Sequence, residues 1–93
     1  MSSIAIILVN ASGTLDSDYE AHLIDATNNA ITATLPSILA DGDSYLLSRM
    51  DISLNGVTIQ AQSGQTINNS ASISMNIGDK FRIISLGTNF YLF

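Results

Sequence analysis

Cysteine is absent from this 93-residue chain, and positive charge is scarce. Without cysteine the chain can form neither a disulfide nor a thiolate metal site. Its three cations are Arg49, Lys80 and Arg82, which eight acidic residues outweigh to give a net charge of −5. Binding to nucleic acid or to an anionic membrane requires a basic surface. We therefore expect neither nucleic acid nor a membrane among the partners of this protein.

Long hydrophobic runs are also missing. The apolar run Ile4–Val9 has six residues, fewer than a membrane span or the core of a secretory signal needs, and it is better interpreted as a buried strand. Hydrophobic residues still make up 46% of the chain, whereas charged residues make up 12%. This composition predicts one folded domain over residues 1–93, with part of its uncharged surface buried against a partner.

Alternation of apolar and polar residues dominates the chain and predicts strands. It is clear in "AITATL" (30–35), "GVTIQA" (56–61) and "SISMNI" (72–77). Glycine-centred breaks separate the runs, and Asn55-Gly56 is a strong signal for a hairpin turn. The expected fold is all-β, a small antiparallel two-sheet sandwich or jelly roll of about eight strands. The predicted strands lie near 4–9, 14–18, 20–27, 31–35, 44–50, 57–61, 71–77 and 80–86, with a short last element at 89–93.

Two terminal segments depart from the alternation because they are apolar on both faces. They are "IAIILV" (4–9) and "NFYLF" (89–93). A strand of this kind aggregates when it is left bare, so something must cover it. We expect the cover to be another copy of the chain or a larger assembly, with residues 1–12 as an N-terminal strand or arm contacting a neighbour. The predicted subunit or capsid contacts are Ile4, Ile6, Leu8, Phe90, Leu92 and Phe93.

Catalytic chemistry has little support in the sequence. His22 is the only histidine, and no G-x-S-x-G nucleophile elbow accompanies it. Acidic residues cluster at Asp16, Asp18 and Glu20, and again at Asp41 and Asp43. Each cluster offers two or three ligands, whereas calcium takes six to eight oxygens. We predict no enzymatic activity, catalytic residue, cofactor or metal site, although calcium binding at these turns stays an open alternative.

Residues 21–93 carry a resemblance to a known family. The segments concerned are "LIDATNNAITATLP", "LLSRMDISLNGVTIQ", "GQTINNSASISM" and "GDKFRIISLGTNFYLF". Their order resembles a small β-domain that recurs in tailed-phage virion proteins, in head and tail fibres and in capsid-decorating proteins. In that pattern a basic residue, here Arg49, precedes Asp and Asn turns, here Asp51 and Asn55. The closing strand ends in G-T-N-aromatic, with Phe90 where tryptophan is frequent.

The resemblance implies a non-catalytic homotrimer located in the virion, bound to capsid or tail proteins. Two functional interpretations stay open. The first is a capsid-decorating or cement protein, or a short head spike, and it is preferred because we expect no shaft or anchoring domain before the module. The second is the receptor-binding tip of a phage fibre that recognises a host surface glycan. The loops expected at an outward tip contain Asp41, Asp43, Asn68 and Asn69.

Overall fold

The computed structural model describes residues 4–93, which form ten strands and no helix, so none of these residues belongs to a helix able to cross a membrane. Strand formation follows the alternating pattern and the many β-branched residues, which pack well on a pleated surface. The strands are β1 (Ile6–Val9), β2 (Gly13–Thr14), β3 (Ala21–Ile24), β4 (Ile31–Thr34), β5 (Ser44–Arg49), β6 (Val57–Gln60), β7 (Thr66–Ile67), β8 (Ser72–Ser74), β9 (Lys80–Leu86) and β10 (Asn89–Leu92).

The first six strands alternate between two sheets. The six-stranded sheet has the order β1-β3-β5-β9-β10-β7, and the four-stranded sheet has the order β2-β4-β6-β8. Strands β1, β3 and β5 pair in parallel in the first sheet, while β2, β4 and β6 do so in the second. The chain therefore winds through both sheets in successive coils, in a β-solenoid-like arrangement.

The last four strands close this arrangement. Strand β8 pairs antiparallel with β6, and β9 pairs antiparallel with both β5 and β10. Strand β7 pairs in parallel with β10 at the edge of the larger sheet. The expected all-β fold with two sheets is thus confirmed, but the expected antiparallel pairing is wrong for most of the molecule. The alternation of apolar and polar residues indicates which face of a strand is buried. This pattern is the same whether the neighbouring strand is parallel or antiparallel.

The core lies between the two sheets and is formed by the apolar positions of the alternating segments. Every second residue of β4 and β6 is buried, as the pattern predicts. Partly buried side chains, among them Val9, Phe81 and Leu92, pack around the buried cluster. The buried apolar residues are Leu15, Ile24, Ala26, Ile31, Ala33, Leu35, Tyr45, Leu47, Val57, Ile59, Ile67, Met75, Ile83 and Phe90.

Two local expectations change in the structure. Asn55-Gly56 does not form a hairpin, because β5 and β6, which flank it, belong to different sheets. Tight turns lie instead at Gly87-Thr88, which joins the antiparallel strands β9 and β10, and at Asn68 and Asn69, whose φ angles are 48° and 67°. Asparagine tolerates this left-handed region better than most residues. Of the predicted arm at 1–12, residues 1–3 lie outside the described residues, and β1 pairs with β3 of its own chain.

Candidate functional site

The outer face of the six-stranded sheet, which points away from the core, is largely apolar. In β3, β5 and β9 alternate residues point inward, among them His22, Leu47 and Ile83. Their neighbours in sequence therefore point outward. Strand register places these outward residues side by side across the sheet. We call this surface the outer face; it includes Ile6, Leu8, Ala21, Leu23, Leu46, Ser48, Lys80, Arg82, Ile84 and Tyr91.

A shallow depression of about 410 Å³ lies in the outer face. The depression spans strands β1, β3, β5 and β9, and Ala21 lies in the row between Ile6 and Leu46. Two of the three cations, Lys80 and Arg82, are exposed and belong to its lining. The surface is thus an apolar concavity with positive charge on one side. Its lining residues are Ile6, Ala21, His22, Leu23, Leu46, Leu47, Ser48, Lys80, Phe81 and Arg82.

Strand β1 forms an open edge of the same sheet. The carbonyl of Ala5 accepts from the backbone N–H of Ala21 at 3.1 Å, and that of Val9 accepts from Asp25 at 2.8 Å. The backbone N–H and C=O groups of the odd-numbered residues of β1 thus point toward β3. The backbone groups of Ile6 and Leu8 therefore point away from it, and no strand within residues 4–93 pairs with that edge. Charged residues and proline, which usually protect edge strands, do not occur in β1.

The predicted interface residues divide into surface and core. Ile6 and Leu8 lie on the outer face with about half of each side chain exposed (56% and 53%), and Ile4 is 52% exposed just before β1. Phe93 is 76% exposed. Leu92 is partly buried against the core. Phe90 is fully buried inside its own chain, so its assignment to a subunit interface is wrong.

A second apolar surface, which the sequence did not indicate, lies in the loop between β5 and β6. Met50, Ile52 and Leu54 are 52%, 87% and 99% exposed. We call residues 50–54 the apolar loop. In a strand that packs on the core the apolar residues point inward, whereas in this loop the apolar residues point outward. Ile77, 48% exposed, lies in the turn after β8 and lines a cavity together with Leu54.

The polar residues of the same segment point inward and hold the loop. The guanidinium of Arg49 donates from Nε to Asp51 Oδ1 at 3.1 Å and from Nη2 to Asp51 Oδ2 at 3.2 Å. Its Nη1 donates to the carbonyl of Met75 at 2.8 Å, and Nη2 also donates to the carbonyls of Ser53 and Asn55. One buried side chain thus connects β5, the apolar loop and the segment after β8.

Asp51 completes this network from the other side. Its carboxylate accepts from the backbone N–H of Ala26 at 3.0 Å and from the hydroxyl of Ser53 at 2.6 Å. Hydrogen bonds from Arg49 and then from Ser53 hold the pKa of Asp51 well below its usual value, although burial acts in the opposite direction. The Asn55 side chain donates to the carbonyl of Ala26 at 2.7 Å. The segment around Arg49, Asp51 and Asn55, which belongs to the family resemblance, therefore links three loops. They lie between β3 and β4, between β5 and β6, and between β8 and β9.

The loops expected at an outward tip use their polar side chains within the subunit. Asp41 accepts from the backbone N–H of Gly87 at 2.9 Å, and Asp43 accepts from that of Leu39 at 2.8 Å. Asn68 and Asn69 bond to β10: Asn68 Oδ1 accepts from the N–H of Leu92 at 3.3 Å, and Asn69 Oδ1 accepts from Asn89 Nδ2 at 3.1 Å. Asp41, Asn68 and Asn69 thus attach their loops to the β9–β10 hairpin, whereas Asp43 bonds within its own loop.

His22 lies on the inner side of β3. It is buried, its Nε2 lies 3.1 Å from the carbonyl oxygen of Asp16, and its ring meets Tyr45 edge-on at 6.0 Å between centroids. Burial lowers the pKa of His22, and the Asp16 carbonyl partly opposes this effect. Among residues 4–93, no hydrogen-bond partner lies within reach of its Nδ1. Within residues 4–93 no three histidine or acidic side chains come together in a group that could hold a metal ion.

The described surfaces suit the burial of another apolar surface better than they suit proton transfer. The outer face and the apolar loop offer aliphatic side chains, and the strongly hydrogen-bonded residues beneath the loop are engaged with each other. No protein-family model matches the chain, and no curated protein matches it at a significant level.

Proposed function

We propose that this chain is a structural protein of a tailed-phage virion that acts through protein–protein contacts. In this proposal it decorates or cements the capsid, or forms a short head spike, as a homotrimer without catalytic activity. The virion context rests on the resemblance of residues 21–93. The oligomeric role rests on the outer face, the observation that carries the proposal.

The outer face supports an oligomeric role because exposed apolar area of this kind is unfavourable in water. Fully burying one Leu, Ile or Phe side chain stabilises by about 1.5–3 kcal/mol. Ile6 and Leu8 are each about half exposed, and Phe93, whose backbone pairs with that of Arg82 on this face, is more exposed. Burial of these three side chains would contribute about 3–6 kcal/mol per subunit. This contribution is large enough to favour association at micromolar concentration when other contacts add to it.

Light scattering on the purified chain, coupled to size exclusion, tests the oligomeric role. We expect a trimer of the 9.9 kDa subunit at micromolar concentration. A Leu8→Lys variant places a charge on the outer face and should shift the population toward monomer. The matched control is Leu39→Lys, because Leu39 is 87% exposed in the loop between β4 and β5 and is not part of that face. A clean wild-type monomer would contradict the oligomeric role.

The location in the virion needs a separate measurement. Quantitative mass analysis of purified virions should give a copy number that follows the capsomer count. A copy number far below this count would favour the fibre-tip interpretation. A glycan array on the trimer provides the complementary result, because saturable binding to a host glycan is expected of a receptor-binding tip and not of a cement protein.

A further inference from the structure

We propose that His22 makes the first coil of the fold sensitive to acid, so that this coil detaches from the rest of the subunit when the histidine binds a second proton. We define the first coil as residues 4–20, which contain β1, β2 and the loop that leads to β3. The inference concerns a single subunit. It goes beyond the proposed function, because it requires neither a virion nor an oligomer.

The hydrogen bonding of His22 suits only the neutral ring. Nε2 lies 3.1 Å from the carbonyl oxygen of Asp16, which can only accept, so Nε2 carries the proton and donates. Nδ1 is then unprotonated, and it is buried with no hydrogen-bond partner within reach among residues 4–93. A second proton on Nδ1 would create a buried charge and a buried donor without an acceptor, and both are unfavourable.

The acid that favours protonation belongs to the first coil itself. Burial lowers the pKa of His22, and the Asp16 backbone, the Asp16 carboxylate and the Leu46 backbone act in the opposite direction without outweighing it. Asp16 is exposed, so water weakens the attraction between its carboxylate and the ring. Asp18 and Glu20, in the same loop, are exposed as well.

The other elements around His22 add no negative charge at the ring. From β5, Tyr45 meets the ring edge-on, and burial and then Asp43 raise the pKa of Tyr45, so its hydroxyl stays neutral in acid. Strands β1, β2 and β4 contain no titratable side chain. Lys80 and Arg82 of β9 lie on the outer face, on the other side of the sheet from His22. A protonated His22 in the closed subunit therefore has little compensation.

The first coil is attached more weakly than the rest of the subunit. Of its residues 4–20, only Leu15 is buried. Among the described strands, β1 pairs with β3 alone and β2 with β4 alone, since both are edge strands of their sheets. Segments with few buried apolar residues and few backbone hydrogen bonds open locally at low cost in free energy.

Opening of the first coil would bring water to His22. The Asp16 carbonyl would leave with its loop, and β3, in which His22 lies beside Ile7 of β1, would become an edge strand. Unfolding of the whole subunit would also expose the ring, but it would expose the entire buried core at the same time. Local opening is therefore the response that costs less.

The size of the effect follows from proton linkage. Below about pH 6.5, the ordinary pKa of histidine, the opened state binds one proton more than the closed state. The equilibrium constant for opening should then rise by up to about tenfold for each unit by which the pH falls. The rise should level off once the pH falls below the pKa of His22 in the closed subunit.

Amide hydrogen exchange between about pH 5 and pH 7.5, corrected for the intrinsic effect of pH on exchange, tests this inference. The reporters are the N–H of Leu15, which donates to the Thr34 carbonyl at 2.8 Å, and that of Glu20, which donates to the Ala5 carbonyl at 3.2 Å. Their protection should fall by up to about tenfold per pH unit on acidification. His22→Gln is the matched variant, because glutamine retains an N–H donor but does not titrate, and its first coil should lack this slope.

Urea distinguishes local opening from unfolding of the whole subunit. Low urea concentrations should accelerate exchange at Ser85, in the centre of β9, more than at Leu15 and Glu20, because local opening exposes less surface. Equal protection and equal urea dependence at the three sites would show that the subunit unfolds as one unit, and this would overturn the inference. A slope at Leu15 and Glu20 that persists in His22→Gln would also overturn it, since the carboxylates would then be responsible.

The ring signals of His22 provide a readout that needs no substitution. His22 is the only histidine, so its ring nitrogen resonances are unambiguous. At neutral pH we expect Nε2 to be protonated and Nδ1 to be unprotonated. On acidification the ring should gain its second proton only together with loss of protection at Leu15 and Glu20. A ring that is protonated near pH 6.5 while both amides stay protected would contradict the inference.

Discussion

Phe90 and Phe93 allow a direct test of which aromatic residues at the end of the chain stabilise the subunit. The two side chains are three residues apart, yet Phe90 is completely buried and Phe93 is 76% exposed. Phe90 lies on the inner side of β10 opposite Ser85, and its backbone carbonyl accepts from the N–H of Asn68 at 2.7 Å. We expect Phe90→Ala to destabilise the fold and Phe93→Ala to leave its stability almost unchanged.

The magnitudes follow from burial. Replacing a fully buried phenylalanine by alanine costs about 3–5 kcal/mol, through lost burial and the cavity that remains. A domain of this length has a free energy of unfolding of about 5–14 kcal/mol. Phe90→Ala should therefore lower Tm by about 12–40 °C. Phe93→Ala should change the free energy of unfolding of the subunit by less than about 0.5 kcal/mol, as is usual for surface positions.

Urea and thermal unfolding followed by circular dichroism would measure both effects, at several protein concentrations. Concentration matters because association raises the apparent stability of a subunit. Phe93→Ala should reduce the dependence of Tm on concentration, while Phe90→Ala should lower Tm at every concentration. Equal destabilisation by the two substitutions would refute the assignment of Phe90 to the core and of Phe93 to the surface.

Further predictions concern the buried polar groups. Asp51→Asn should lower Tm clearly more than Asp41→Asn, because Asp51 is buried against Arg49 whereas Asp41 is exposed; equal Tm values would contradict this reasoning. The lowered pKa of His22 means that the unfolded state binds its proton more readily, so stability should fall as pH drops below about 6.5. In His22→Gln, pH-dependent urea unfolding should lack this acid-side slope, and an unchanged slope would assign it to other groups. The lowered pKa of Asp51 adds a loss of stability below about pH 3.8.

The sequence predicts strands in this protein better than it predicts their arrangement. Alternation in 30–35 and 56–61 located β4 and β6 and identified Ile31, Ala33, Val57 and Ile59 as core residues, which the structure confirms. Alternation depends only on which face meets the core. The partner of a strand and its direction depend on long-range pairing, and these determine the β-solenoid-like winding.

The successive coils of the chain do not appear in the sequence as a repeat of fixed length. In the six-stranded sheet Ile6 lies beside Ala21 and Ala21 lies beside Leu46, so the stacked positions are 15 and then 25 residues apart. In the four-stranded sheet Gly13 lies beside Ala33, and Ile31 beside Val57, which gives intervals of 20 and 26 residues. Coils of such unequal length do not produce the fixed period that identifies a solenoid.

The candidate surfaces were predicted in part. Residues 4–9 were interpreted as a buried strand, but Ile6 and Leu8 are about half exposed on the subunit, and their contact with a neighbour stays a prediction. The same reasoning failed for Phe90, because an apolar residue near a terminus can be buried by its own chain as well as by a neighbour. The apolar loop was missed because the residues between the predicted strands 44–50 and 57–61 were assigned to a turn, and alternation alone does not tell whether Met50, Ile52 and Leu54 point inward or outward.

The alternating polar residues of the segment 49–55 explain why its apolar residues are exposed. A buried ion pair contributes little net stability relative to apolar residues of similar size, so the effect of Arg49 and Asp51 is mainly on geometry. Together with Ser53 and Asn55 they bond to carbonyl and N–H groups from three loops, and this leaves no inward position for Ile52 or Leu54. The same bonds that fix the loops of the subunit thus create an exposed apolar surface.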